Sequence, residues 1–257
     1  MSSGEQVTST SENGIARVTI DHPPLNILTR ELAGELRATF RSLAADQTLR
    51  VMVLDAAGKH FSAGADVGEH LPPAWKAMVP EFLDTIAALR AFPVPIVAAV
   101  RGRCLGGGFE LALACDLVFA GTTAMLGVPE ITLGVFPPAA AALLPLRVGA
   151  SRAASAVLTG RTAPVEAWTA AGLIEVTAPP QELGAAVDHW FEAHLAPRSS
   201  AALRFAALAS RATLRRQVSM VLPDLERLYL DALMHTHDAI EGIEAFLEKR
   251  APVWSNA

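Results

Sequence analysis

Short apolar segments alternate along this chain with segments of helical periodicity. The predicted strands span Ile15–Ile20, Val51–Leu54, Ile96–Val100, Leu117–Ala120 and Ile174–Thr177. Thr29 can cap a first helix, whose apolar residues recur at helical spacing from Leu32 to Leu43, and a second helix is predicted from about Ala74 to Arg90. Strands that alternate with helices predict βαβ crossovers and a parallel-rich sheet buried on both faces, so the predicted fold class is α/β.

The composition favours a folded enzyme over other classes of protein. Of the 257 residues, 51% are hydrophobic and 18% are charged, which argues against disorder and allows a sizeable core. The net charge is −5 without any basic run, so nucleic-acid binding has little support. Cys104 and Cys115 cannot make a disulfide framework, and neither a signal-like region nor a membrane span is present in the sequence. We therefore expect a cytoplasmic enzyme that binds neither nucleic acid nor membrane.

A glycine cluster, residues 106–108, follows the strand Ile96–Val100 and is followed closely by a carboxylate, Glu110. Three consecutive glycines leave backbone N–H groups open to close approach by a ligand, because no Cβ stands in the way. A second loop, 62–66, follows the strand Val51–Leu54 and also places small residues before a carboxylate. Loops at the carboxyl ends of adjacent parallel strands converge, so two N–H groups could point at one carbonyl oxygen. The alternative is that the glycines only permit close packing of a helix on a strand.

Glu110 and Glu130 are the candidate catalytic carboxylates. Glu130 lies between apolar residues in segment 127–134. A carboxyl group in an apolar setting tends to have a raised pKa, which suits proton transfer near neutral pH. Two such groups could hold a water molecule between them. The alternative is that both are helix-start carboxylates that complement backbone N–H groups.

Other motifs carry less weight. Ser62 is interpreted as a loop hydroxyl with local hydrogen bonds, and Asp66 as a residue that caps or orients its loop. His235 and His237 are two residues apart and would point to different sides of a helix, so no metal site is predicted. Beyond about residue 180 the pattern is almost wholly helical, with predicted helices over Glu182–Leu195, Ser199–Leu214, Leu225–Met234 and Ala239–Lys249. Segment 197–200 is the candidate boundary between a core, residues 1–197, and a helical region, residues 198–257.

Three motifs occur together in a defined order and spacing. They are Phe61-Ser62-Ala63-Gly64-Ala65-Asp66, Gly102-x-x-x-Gly106-Gly107-Gly108-x-Glu110-Leu111-Ala112 and Pro129-Glu130-x-x-Leu133-Gly134. An N-terminal and a C-terminal element accompany them, Leu25-Asn26-Ile27-Leu28 and Glu241-Gly242-x-x-Ala245-Phe246-Leu247-Glu248-Lys249-Arg250. On these residues, nearly the whole chain resembles the enoyl-CoA hydratase/isomerase (crotonase) superfamily.

The resemblance implies a crotonase-like spiral core of repeated ββα turns, followed by a helical C-terminal region that builds homotrimers, often paired into hexamers. It implies an acyl-CoA thioester as substrate and no metal or redox cofactor, because coenzyme A is part of the substrate. In these enzymes two backbone N–H groups form an oxyanion hole for the thioester carbonyl. Carried over, those donors would be Ala65 and Gly107.

Further residues acquire roles from the resemblance. Glu110 and Glu130 match the two glutamates that distinguish true hydratases. Lys59 and Lys249 match positions that often approach the phosphates of coenzyme A. The other predicted substrate-binding residues are Leu25, Ala63, Gly64, Asp66, Gly106, Pro129 and Pro138.

One segment departs from the family pattern. Where many hydratases have Pro-Gly-Ala-Gly-Gly after the second glutamate, this chain has Pro138 in place of a glycine and three alanines at 139–141. Pro138 lacks an N–H, and the alanine methyl groups are predicted to add apolar surface to the pocket, so we expect a preference for a compact ring.

Within the superfamily, segments 70–72, 134–138 and 228–254 look most like cyclohexa-1,5-dienecarbonyl-CoA hydratases, which act on an alicyclic dienoyl thioester. Two other readings stay open. The same oxyanion hole supports double-bond isomerisation or ring-opening hydrolysis, and a non-catalytic relative could bind coenzyme A or RNA.

Overall fold

Two β-sheets form the centre of the computed structural model, which describes residues 5–257. The strands are β1 (Val7–Glu12), β2 (Ile15–Ile20), β3 (Val51–Ala56), β4 (Ile96–Val100), β5 (Arg103–Leu105), β6 (Leu117–Gly121), β7 (Met125–Gly127), β8 (Ala163–Pro164) and β9 (Ile174–Ala178). The larger sheet has the order β1-β2-β3-β4-β6-β9, with an antiparallel β1–β2 hairpin and parallel pairing from β2 onward. The smaller sheet has the order β5-β7-β8. The predicted parallel-rich α/β sheet is therefore confirmed.

Helices cover both faces of the larger sheet. They are α1 (Arg30–Ala44), α2 (Trp75–Ala91), α3 (Gly107–Ala114), α4 (Pro138–Val148), α5 (Ala150–Thr159), α6 (Val165–Thr169), α7 (Leu183–His194), α8 (Ser200–Ser210), α9 (Ala212–Arg227) and α10 (His237–Leu247). Successive side chains of a strand point to opposite faces. Met52 and Leu54 of β3 accordingly belong to the main hydrophobic core with residues of α1 and α2, whereas Val51 and Val53 pack with residues of α7. Burial on both faces explains why these strands are apolar without alternation.

The first hairpin was not predicted from the sequence. In β1 only Val7 is buried and the five following side chains are exposed, so the strand lacks an apolar periodicity. Its connection to β2 is made by Asn13 and Gly14, whose φ angles are 52° and 84°. Positive φ at both central residues is typical of the two-residue turns that close hairpins.

The C-terminal helices differ from the predicted ones. The predicted helix Ser199–Leu214 is wrong, because α8 ends at Ser210 and α9 begins at Ala212. The predicted helix Leu225–Met234 is also wrong, because its residues belong to the end of α9, a π-helical turn and a 3₁₀ turn.

α9 and α10 contribute residues to the main core, and the division at residue 197 stays a prediction. Among residues 5–257, no helix has both the length and the apolar character needed to cross a membrane.

Arg211 explains the break between α8 and α9. Its side chain is only 2% exposed and lies before the amino ends of β4 and β6, where it donates to both carboxylate oxygens of Asp116 and to the carbonyl oxygens of Phe92 and Val94. A buried charge is tolerated only when it is paired and hydrogen-bonded, as this one is. Arg211 therefore ties the C-terminal helices to the segments that lead into β4 and β6.

Replacing Arg211 by methionine is expected to lower the free energy of unfolding by about 2 kcal/mol. The variant leaves Asp116 without its main partner, although Asp116 keeps some solvent contact, with 19% of its side chain exposed. Arg227→Met is the matched control, because its ion pair with Asp224 is about 70% exposed on both sides and contributes little. Urea unfolding should separate the two variants. Equal stability of the two would contradict the anchoring role of Arg211.

Candidate active site

The loop 62–66 is held in place by the segment 25–28. The Ala63 N–H donates to the Leu25 carbonyl at 2.9 Å, the Leu28 N–H donates to Gly64 at 2.9 Å, and the Asp66 N–H donates to Leu28 at 3.0 Å. These hydrogen bonds use the Gly64 carbonyl and the Asp66 N–H, on either side of Ala65. The N–H of Ala65 itself donates no hydrogen bond within residues 5–257. The loop therefore presents one fixed, unpaired donor.

The start of α3 supplies a second donor beside the first. Gly107 is the first residue of this helix, and its N–H has no acceptor among the described residues. A β-carbon added to Gly107 would lie 3.5 Å from the Ala65 nitrogen, so the two amides are neighbours. The structure thus brings together the two loops that the sequence placed at the ends of adjacent strands.

Glu110 lies in the first turn of α3 and is only 3% exposed. Its Oε1 accepts a hydrogen bond from the Ala140 N–H at 2.7 Å. Burial raises the pKa of Glu110 to about 7, and the amides of Ala140 and Ala139 oppose that rise. The carboxylate therefore complements backbone N–H groups of α4 rather than of its own helix, and it titrates near neutral pH.

Glu130 lies in the 3₁₀ turn Pro129–Leu133 and faces the glycine cluster. A β-carbon at Gly106 would come within 2.6 Å of its Oε1, and its Oε2 is buried with no hydrogen-bond partner among residues 5–257. Burial, with the Glu110 carboxylate as the next cause, raises the pKa of Glu130 well above its usual value. Two carboxyl groups that interact in this way release their protons as a pair.

The C-terminal helix fixes the turn that carries Glu130. A β-carbon at Gly242 of α10 would lie 2.3 Å from the Leu133 carbonyl oxygen, so only glycine permits this approach. Gly134 has a φ of +73° and would bring a β-carbon within 2.6 Å of the Asp238 carbonyl oxygen. The C-terminal segment recognised in the sequence therefore serves to place a candidate catalytic residue.

These groups share one cavity of about 580 Å³. Of the predicted site residues, those on its wall are Leu25, Ala63, Gly64, Ala65, Asp66, Gly106, Gly107, Glu110, Pro129, Glu130 and Pro138. Lys59 and Lys249 are exposed and lie outside this wall, so their contact with a substrate stays a prediction. Two amide donors beside a pair of raised-pKa carboxyl groups can stabilise an oxyanion and move protons in one apolar space.

Two smaller predictions agree with the structure. Ser62 is a loop hydroxyl, because its Oγ accepts from the Gly64 N–H at 3.1 Å. Asp66 orients its loop, because its Oδ1 accepts from the Glu69 N–H at 3.1 Å and its carbonyl bonds the His70 ring at 2.9 Å.

The alanines 139–141 do not line the cavity, so the prediction that they add apolar surface to it is wrong. Ala139 and Ala140 are instead buried in the first turn of α4, where their amides face Glu110. The apolar wall is formed by residues that sequence reasoning missed, among them Met78, Val79, Phe82, Val135, Phe136, Tyr229 and Ile243. Arg103 is on the wall as well and was also missed. No sequence signal separates these side chains from ordinary core and surface residues, because they come from distant elements.

A family profile described as enoyl-CoA hydratase/isomerase matches residues 10–257. The chain is 40% identical over 245 residues to cyclohexa-1,5-dienecarbonyl-CoA hydratase of Thauera aromatica, which is 95% of this chain and 94% of the relative. It is 36% identical over 229 residues to 2,3-dehydroadipyl-CoA hydratase of Escherichia coli, and this alignment covers 88% of this chain and 88% of the relative.

Solved structures of enoyl-CoA hydratases have a similar fold. An enoyl-CoA hydratase/isomerase from Pseudoalteromonas atlantica superposes with a TM-score of 0.87 at 28% identity, covering 97% of this chain and 100% of the other. An enoyl-CoA hydratase from Mycobacterium avium subsp. paratuberculosis superposes with a TM-score of 0.85 at 29% identity, covering 97% and 98%.

Proposed function

This chain belongs to the enoyl-CoA hydratase/isomerase family and has its crotonase-like fold, and we propose that it adds water to an α,β-unsaturated acyl-CoA thioester. The observation that carries the proposal is the placement of Glu110 and Glu130 in the same apolar cavity as the unpaired amides of Ala65 and Gly107. Isomerisation and hydrolysis would use the same two amide donors. Hydration also needs a bound water molecule, and a pair of carboxyl groups can hold that water, with one group taking its proton and the other delivering a proton to carbon.

The proposed reaction begins with water held by both glutamates. Glu110, ionised, takes a proton from this water while its oxygen bonds to the β-carbon. The π electrons move through the α-carbon to the thioester oxygen, and the resulting enolate is stabilised by the N–H groups of Ala65 and Gly107. Glu130, protonated, then delivers its proton to the α-carbon. Proton exchange between the two carboxyl groups restores the starting state, so the protein groups alone carry the chemistry and no metal or redox cofactor is required.

Labelled water tests the reaction class. When an α,β-unsaturated acyl-CoA is incubated in oxygen-18 water, we expect one labelled oxygen at the β-carbon and no release of free coenzyme A. An isomerase would move the double bond without incorporating oxygen, and a hydrolase would place the label in a carboxylate and release coenzyme A. Either of these results would remove hydration as the function.

The proposed acyl group is a compact, unsaturated ring. Phe136 and Tyr229 form an edge-to-face pair on the cavity wall, with ring centroids 5.4 Å apart, and Pro138 offers no N–H to an extended chain. The 40%-identical relative is named for a cyclohexadiene thioester, which supports the same choice.

A ring preference should appear in kcat/KM. We expect cyclohexa-1,5-dienecarbonyl-CoA to exceed crotonyl-CoA by about tenfold under identical conditions, because apolar fit discriminates by roughly 1–3 kcal/mol. An advantage for crotonyl-CoA would place the enzyme with hydratases of straight-chain substrates.

A homotrimer, or a hexamer of two trimers, is part of the proposal. Large apolar side chains on the C-terminal helices and tail are exposed in the single chain, notably Phe205, Met220, Leu228, Phe246 and Trp254. Leu225 and Leu233 of the same region pack partly against the core. Light scattering at micromolar concentration should give three or six times the 27.1 kDa chain mass, and a monomer would refute the assembly.

The proposal extends to coenzyme A and to the compartment. Lys59 and Lys249 are exposed cations available to phosphate groups, Lys249 from the same or a neighbouring subunit. A cytoplasmic location is supported by Cys104 and Cys115, which are both buried as free thiols.

A further inference from the structure

Tyr229 is the single tyrosine of the sequence. It lies on the cavity wall, although the sequence predicted no role for it. It belongs to the π-helical turn Leu228–Ala232 that follows α9, and only 1% of the residue is exposed. Its ring packs edge-on against Phe136 and lies 6.5 Å from the ring of His70, centroid to centroid. Single π-helical turns are frequent at functional sites.

The phenol hydroxyl of Tyr229 is buried and has no hydrogen-bond partner within residues 5–257. Buried tyrosine hydroxyls nearly always find a partner, because leaving one unpaired is costly. Glu130 Oε2, on the same cavity wall, is unpaired as well. Two buried polar groups without partners, a phenol hydroxyl and a carboxyl oxygen, therefore belong to residues that line the same cavity.

The two carboxyl groups influence the pKa of the Tyr229 phenol. Burial, then the charge of Glu130, then that of Glu110 raise the pKa of Tyr229 far above its usual value. The phenol therefore stays protonated and serves as a donor throughout the pH range in which the carboxyl groups titrate.

A water molecule held between Glu110 and Glu130 has one lone pair that is free to accept a further hydrogen bond. Its two hydrogens point to the carboxyl oxygens and one lone pair points to the β-carbon, so the other lone pair can accept. Resting on the proposed function, we propose that the Tyr229 hydroxyl donates to this water and to the hydroxyl oxygen that the water becomes in the product. This hydrogen bond would orient the attacking lone pair.

Binding of two product analogues tests the contact without turnover. Both proteins carry Glu110→Gln to suppress the reaction, and one also carries Tyr229→Phe, which keeps the ring and removes only the hydroxyl. By calorimetry, the Kd of 3-hydroxybutyryl-CoA should rise about 3- to 10-fold with Tyr229→Phe, because one hydrogen bond is lost. The Kd of butyryl-CoA, which lacks the hydroxyl, should stay within about twofold. Equal weakening of both ligands, or of neither, would overturn the contact.

Kinetic measurements provide a second test. They distinguish failure of this inference from failure of the proposed hydration activity. With Glu110 intact, the wild-type enzyme is assayed first on crotonyl-CoA and on cyclohexa-1,5-dienecarbonyl-CoA, and absence of hydration on both would refute the proposed function. On a thioester that is hydrated, Tyr229→Phe should lower kcat about 3- to 10-fold with little change in KM. A kcat equal to that of the wild type would refute the inference alone.

A matched control distinguishes the contact from a general effect of buried polar groups. The Trp75 Nε1 is also buried without a partner among the described residues, but Trp75 lies outside the cavity wall. Trp75→Phe should leave kcat unchanged. Tyr229→Phe should not lower the Tm, because its hydroxyl makes no hydrogen bond within residues 5–257. A lower Tm with unchanged kcat would assign Tyr229 a structural role.

Discussion

Glutamine in place of Glu110 or Glu130 is expected to slow hydration by at least about 10²-fold, while binding of a saturated acyl-CoA survives. Each substitution keeps the size of the side chain and removes its ability to exchange a proton. The measurement is kcat with the thioester that the wild-type enzyme hydrates fastest, together with the Kd of butyryl-CoA. Turnover close to wild type in either variant would exclude a mechanism that needs both carboxyl groups.

The matched control for this pair is Glu226→Gln. Glu226 is a half-buried glutamate whose pKa is also raised by burial, with Asp84 as a further cause, but it lies outside the cavity. Its substitution should change kcat by less than about twofold, because Glu226 does not line the cavity and substitutions at peripheral positions usually change stability by less than about 0.5 kcal/mol. A large loss in this control would mean that neutralising any half-buried carboxyl group damages the enzyme.

The pH profile assigns the two roles. If Glu110 is the base, it must be ionised, and its pKa of about 7 means that kcat/KM falls as the pH drops below neutrality. Glu130 is the acid and stays protonated to higher pH, so its loss of a proton limits the alkaline side. The residual activity of Glu110→Gln should lack the acidic limb. Persistence of that limb would transfer the role of base to Glu130, because the apparent values belong to the coupled pair.

The sequence predicted the parts of this protein in which neighbouring residues decide the structure. The strands β3, β4 and β6 are apolar because both faces are covered, whereas β2 and β9 alternate more deeply buried with more exposed side chains, and both patterns can be recognised in the sequence alone. The convergence of loops 62–66 and 106–110 followed from parallel pairing of β3 and β4. The strand predictions therefore depended on local composition, and the predicted convergence of the two loops depended on one topological rule.

Features set by distant contacts were not predictable. Helical spacing over residues 225–234 concealed a π-helical turn, and with it the inward placement of Tyr229. β5, β7 and β8 are two or three residues long, too short to show a periodicity. The division of the last helices at Arg211 depends on Asp116, which lies 95 residues away along the chain. In each case the decisive partner belongs to another element.

Gly106 is the residue at which the oxyanion donor and the carboxyl pair meet. Its φ of +52° and ψ of −127° are open to glycine and strained for any residue with a β-carbon. Its Cα faces Glu130, with room for a hydrogen but not for a methyl group. Its carbonyl oxygen accepts the Glu110 N–H at 2.9 Å, and its own N–H donates to Gly127 at 2.9 Å. The added carbon of an alanine must therefore displace either Glu130 or the start of α3.

Gly106→Ala is expected to lower kcat by at least about 10²-fold, comparable to the removal of a positioned acid or of an oxyanion donor. Gly172→Ala is the matched control, because Gly172 also has a positive φ, +76°, but a β-carbon there meets nothing within 4 Å. Both variants should lose about 1–2 kcal/mol of stability through backbone strain, and only Gly106→Ala should lose activity. Equal kcat values in the two variants would show that Gly106 has no specific part in the site.

A double variant identifies the route of the damage. If Gly106→Ala acts by displacing Glu130, then adding Glu130→Gln should slow the enzyme little further, because residues that act as a unit are not additive. If it acts by moving the Gly107 N–H away from the thioester oxygen, the two losses should multiply, since the oxyanion donor and the acid contribute separately to the barrier. A crystal structure with a bound acyl-CoA would then place the thioester oxygen within about 2.7–3.1 Å of the Ala65 and Gly107 nitrogens in the wild type and farther from Gly107 in the variant. An unchanged distance, together with multiplied losses, would contradict both routes.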